Sequence, residues 1–160
     1  MIAHFKNLSI GSTCSGMVAH YDRTGGSNTS GQAALPHRNI HKITSMFRVA
    51  HGHAAILCDR VLFSWMIENV DKCCDLRGKE YLELTLNEIG KALGCKNASI
   101  GAEKLKSIFS SLELEVPSAT EAQFAELKTS VNPVRLKNHP ILLNEEMIDK
   151  LYHDILRKAK

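Results

Sequence analysis

The sequence predicts a mostly helical α+β protein, on three observations. Ala54 to Ile67 (AAILCDRVLFSWMI) is apolar except for Asp59, Arg60 and Ser64, which fall near one stripe. That is the pattern of a helix buried over most of its circumference. Two later segments, 98–112 and 145–158, carry apolar residues at helical spacing. Between them and the apolar run, Tyr81 to Leu86 alternates with a period of two, as a short half-buried strand does. The 160 residues, 44% hydrophobic and 23% charged, suit one compact domain of ordinary globular composition. They exclude a disordered chain, a collagen-like repeat and a disulfide-dense miniprotein. No apolar run approaches the ~20 residues of a membrane span.

Taken in order, residues 1–36 are rich in Gly, Ser, Thr and Asn, and Tyr21 to Gln32 reads as a loop. This first segment is expected to be a flexible or loosely packed basic arm, with the folded domain occupying 37–160. Residues 1–50 carry five bases against one acid, and residues 51–160 carry fifteen bases against sixteen acids. The overall net charge of +3 therefore hides a positive excess at the N-terminal side. Residues 39–50 predict a short helix with Ile43, Met46 and Phe47 on one face.

After the apolar helix, Asp75–Gly78 supplies a turn and 81–86 the expected strand. Thr85 and Glu88 have capping-box spacing, so a helix is expected from about Leu86 to Leu93, ending at Gly94. Cys95–Ala98 is a break, and Asn97 or Ser99 can cap the next helix, 98–112, with Leu105, Ile108, Phe109 and Leu112 on one face. Leu112–Val116 and Phe124–Val131 are expected as two short strands around the loop 117–123. Asn144 can cap a last amphipathic helix, 145–158, striped by Ile148, Leu151, Tyr152, Ile155 and Leu156.

Two helices joined by a turn of a few residues form a helix-turn-helix. A strand before it and a ribbon after it make it a winged helix-turn-helix. The stretches HAAILCDRVLFSWMIENV, GKEYLELTLNEIGKALGC and KNASIGAEKLKSIFSSLELEV resemble the winged-helix replication-initiation proteins of plasmids and phages. HPILLNEEMIDKLY is similar to the passage after the wing in several of them. The resemblance covers residues 53–131 and, more weakly, 139–153. It implies double-stranded DNA binding in replication initiation or its control. The chain departs from the pattern in that its recognition helix contains Gly101 and no Arg, and the base of the wing carries Glu113 and Glu115. A second, weaker resemblance lies in Gly16–Thr24, Asn28 and His37-Arg38-Asn39, which look like the opening motif of plasmid mobilisation relaxases. It implies a fragment of a metal-dependent nickase.

A recognition helix places its N-terminal residues against base edges in the major groove. The candidates are Lys96, Asn97 and Ser99 at the helix start and Lys104 and Lys106 further along. Asn pairs with adenine in a bidentate way, and Lys donates to guanine or phosphate. Lys128, Arg135 and Lys137 are candidate phosphate contacts in or after the wing. The same few lysines also describe an ordinary solvated helix face. The alternative is therefore a non-catalytic protein-interaction module on the same fold. Helix 145–158 is the candidate surface for a homodimer.

No catalytic residue, metal or other cofactor is assigned. Six of the eight His precede residue 54, and His37 and His41 share a helix face if that stretch is helical, with His51 and His53 nearby. No third ligand comes at a diagnostic spacing, and surface histidines are the simpler reading. There is no G-x-S-x-G or phosphate-binding loop. Five cysteines, an odd number with Cys73 and Cys74 adjacent, suit reduced thiols in a cytoplasmic protein.

Overall fold

The computed structural model describes residues 35–131, Leu136 and residues 139–159. The expected arm therefore lies almost wholly outside the described residues. Helix α1 spans Leu35–Phe47 and α2 spans His51–Glu68. Pro36 sits in the first turn of α1, where its missing N–H costs no helical hydrogen bond. Ile40 and Ile43 are buried against α2. Helix α2 is the hub predicted from its apolar run. Ala54 to Asp59, Leu62 and Phe63 are all buried, and α1, α3, α4 and α6 pack around it.

A turn of 3-10 helix at Val70–Lys72 leads to a tight turn in which Asp75 accepts from the Arg77 amide and guanidinium at 2.8–2.9 Å. Helix α3 follows at Lys79–Ala92 and replaces the strand expected at 81–86. Leu82 and Leu86, four residues apart, are buried together, whereas Leu84 is 55% exposed. A strand would have put all three on one face. Ile89 and Leu93 continue the helical series as partly buried residues packed on the core. The capping box at Thr85 is also overturned: Thr85 is mid-helix, and its hydroxyl donates to the Tyr81 carbonyl at 2.9 Å. Helix α4, Ala98–Ser111, is capped by Asn97 and packs on α2 and α3, as expected from its apolar spacing.

The ribbon is not formed. Residues 114–117 are irregular, and 121–130 is helix α5, Glu121–Ser130, which buries Phe124 and Leu127. Its start is a full capping box in which the Thr120 hydroxyl accepts from the Gln123 amide and Gln123 reaches back to the Thr120 amide. With a helix at each of the positions expected to be strand 81–86 and strand 124–131, no wing is present among the described residues. Helices α3 and α4 are joined by the short connection 93–97.

Helix α6, Glu145–Ile155, is capped by Asn144 as expected but ends earlier. Arg157–Lys158 is instead strand β2, paired in parallel with β1, Ser118–Ala119. The apolar stripe of α6, Ile148, Leu151, Tyr152 and Ile155, is buried against α5 and α2, so it is spent on the chain's own core. Arg60 ties three helices: its guanidinium lies 4.7 Å from the Phe109 ring centroid and donates to the Ile155 carbonyl at 3.0 Å. Among the described residues, no helix is long and apolar enough to cross a membrane.

Candidate nucleic-acid interface

The candidate interface is the unit formed by α3, its turn and α4. The turn is fixed by backbone chemistry at both ends. Gly94, at φ +75°, ends α3 in the left-handed region. Its amide donates to the Lys91 carbonyl at 2.8 Å, while the Cys95 amide donates to the Gly90 carbonyl at 3.0 Å. These two bonds are a Schellman motif, which satisfies the terminal carbonyls of α3. Two asparagines then satisfy amides at the start of α4. The Asn97 Oδ1 accepts from Ile100 and the Asn87 Oδ1, reaching over from α3, accepts from Ala98, each at 3.0 Å.

The helices cross at Gly90 and Gly101. A Cβ on Gly101 would lie 2.8 Å from the Gly90 Cα, and one on Gly90 would strike the Asn97 backbone. Side chains are absent there because backbone meets backbone. This crossing seats Ala98, Ala102, Leu105 and Phe109 inward. It leaves Lys96, Asn97, Ser99, Ile100, Glu103, Lys106, Ser107 and Ser110 on the solvent face.

Five of the eight sequence candidates, Lys96, Asn97, Ser99, Lys104 and Lys106, thus belong to one unit. Their roles differ. Lys104 reaches back across the turn and donates to the Leu93 carbonyl at 2.5 Å, acting as a second stop on α3. Lys106 pairs with Glu103 at 2.8 Å on the exposed face. Asn97 spends its Oδ1 on the cap. Lys128 is elsewhere, on α5, with its ammonium 3.8 Å from Asp149 of α6. Arg135 and Lys137 lie outside the described residues. Ile100, 48% exposed in the first turn of α4, was not singled out by sequence; an apolar residue three positions after an N-cap Asn was the signal. Such a side chain can meet a thymine methyl.

Burial pushes the Cys58 thiol far above its ordinary value, so it is a small hydrophobe in the core. Among the described residues, no three of His, Cys, Asp and Glu converge on a common point. Gly16–Asn28 of the relaxase-like motif lies outside the described residues, as do the side chains of His37, Arg38 and Asn39. His53 bonds the Glu115 carbonyl at 2.7 Å, and His41 meets His51. The chain matches no family model, no curated protein and no solved structure.

Proposed function

We propose that this protein binds double-stranded DNA through α4, as a non-enzymatic helix-turn-helix protein. One observation carries the reading: a turn locked by a Schellman motif and two asparagine bonds holds the first turn of α4 exposed, with Lys96, Asn97, Ser99 and Ile100 on it. A rigid helix start bearing an ammonium, an amide, a hydroxyl and an apolar group has the chemistry of base and phosphate contact. Control of replication on a plasmid or phage, in a reducing cytoplasm, is the setting the sequence resemblance favours. The wing of that family is not part of the proposal. A homodimer would need a surface other than the apolar face of α6.

The test is fluorescence anisotropy of the full chain with a labelled duplex of random sequence, followed by selection from a random pool. The expected result is binding that weakens linearly in log affinity against log salt between about 50 and 200 mM. Selection is expected to enrich a short motif. No binding at the lower salt overturns the proposal.

A second reading, a protein-interaction module, is favoured by one observation. Lys104 and Lys106 are engaged within the chain, while Ile100 and Leu112 at opposite ends of α4 are 48% and 43% exposed. Loss of a protein partner on Ile100→Ala, with no duplex binding by the parent chain, is the outcome that selects it.

A further inference from the structure

We propose that Asn97 and Ile100 together select a thymine in the major groove, through its 5-methyl group and its O4. The inference rests on the proposal that α4 enters that groove by its first turn, and it names what the turn reads. Ile100 is 48% exposed and stands outside the buried core. Its neighbours along the helix are polar: Asn97 and Glu103 lie three residues away on either side, and Lys104 four residues on. The apolar target is thus one side chain wide and ringed by polar groups. It matches a methyl set in a polar groove better than it matches a hydrophobic protein surface.

Asn97 supplies the second half of the selection. Its Oδ1 accepts from the Ile100 amide at 3.0 Å, which holds the side-chain amide against the first turn beside Ile100. The oxygen is the end committed to the cap. The Nδ2, which has no partner among the described residues, is the end left for a ligand. A capping asparagine therefore offers a donor, and not the acceptor and donor together that adenine needs. The bidentate adenine contact expected of the residue type gives way to a single donor next to an apolar group. Thymine presents the complement, the acceptor O4 beside its methyl on the major-groove edge. Cytosine presents the N4 donor and no methyl, so its hydrogens would oppose those of Nδ2. Adenine and guanine offer acceptors but no methyl. Thymine alone satisfies both residues.

The experiment is fluorescence anisotropy of the full chain at about 50 mM salt with short labelled duplexes of alternating sequence. The duplexes are dA·dT; dA·dU, which lacks only the methyl; dG·dC; and dG·5-methyl-dC, which has the methyl but a donor in place of O4. The wild-type chain is expected to bind dA·dT tightest. Loss of the methyl in dA·dU should weaken binding about fourfold, the worth of burying one such group. Both cytosine duplexes should bind more weakly still. Ile100→Ala should abolish the difference between dA·dT and dA·dU without moving the melting temperature. Asn97→Asp keeps a capping oxygen but has no donor, so it should lose the preference for dA·dT over dG·5-methyl-dC. Equal binding of the wild-type chain to dA·dT and dA·dU overturns the inference and leaves DNA binding standing. A methyl preference that survives in Ile100→Ala does the same. No binding to any duplex overturns both. The comparison of dA·dT with dA·dU reads the wild-type chain, so a variant that folds poorly does not rescue the idea.

Discussion

Gly90 and Gly101 meet backbone to backbone where α3 crosses α4, with room for no Cβ between them. This contact sets the depth at which α4 sits against its partner, and hence which of its residues stand in solvent. Helix propensity alone favours alanine over glycine by about 1 kcal/mol in a helix interior. Steric overlap with backbone atoms, which cannot swing aside, opposes it.

Gly101→Ala and Gly90→Ala should therefore both destabilise the protein, by roughly 1–3 kcal/mol as overpacked sites do. Gly90→Ala should cost more, because its new methyl meets the Asn97 and Ala98 backbone and not a Cα alone. Thermal unfolding followed by circular dichroism decides the matter. A melting temperature equal to or above that of the parent would show that the crossing relaxes freely.

Asn97→Ala should cost about 1 kcal/mol, the usual worth of an N-cap. Asn87→Ala should cost a similar amount, because its Oδ1 also serves an amide at the start of α4 while its amide nitrogen bonds Glu83. Because both act on one helix end, the double variant should depart from additivity. Denaturant titration of the two single variants and the double one reads this directly.

The lysines of the unit should separate by role. Lys96→Ala should reduce the slope of log affinity against log salt by about 1, as loss of a phosphate contact does, and leave stability near that of the parent. Lys104→Ala should instead lower stability, since it removes the bond to the Leu93 carbonyl, with less change in the salt slope. Equal effects of the two on binding would contradict this division.

Acid should destabilise the protein through His139. Burial pushes this imidazole below its ordinary value of 6.5 and outweighs the Ile141 backbone bond, whose carbonyl lies 2.8 Å from Nδ1 and acts in the opposite direction. The unfolded chain takes up the proton first. Stability from the neutral buried ring is thus complete above about pH 6.5 and is lost as pH falls from there through the lower folded value. Melting temperatures between about pH 7.5 and 5 should decline in the parent and decline less in His139→Asn. Parallel curves would refute the assignment.

Helices α2, α4 and α6 were legible because their apolar residues recur at helical spacing, and Asn97 and Asn144 cap where their side chains allow. The first half of α3 was not. Leu82, Leu84 and Leu86 alternate as strand residues do, and only Ile89 and Leu93, further on, reveal that Leu82 and Leu86 belong to a helical series. Helix α5 carried a readable sign in Thr120-x-x-Gln123 followed by Phe124, Leu127 and Val131, which competed with the β-branched character of the stretch around it. The pairing of Ser118 with Arg157 had no local sign, since two residues of strand are fixed by what packs around them. The same holds at the interface. Lys96, Asn97 and Ser99 could be placed at a helix start from sequence, but the diversion of Lys104 to a carbonyl depends on how α4 folds back over α3.

The β1–β2 bridge has a bearing on the order of events during synthesis. Helices α1 to α4 contact near neighbours in the chain and can assemble as they emerge. The segment holding α5 and α6 packs on α1 and α2, and it gains two further backbone bonds once Arg157 and Ala159 reach Pro117 and Ala119. A chain stopped short of these residues would leave the Ser118–Ala119 edge without its partner. Removing residues 157–159 would thus take away the bonds that tie the end of α6 to the start of α5.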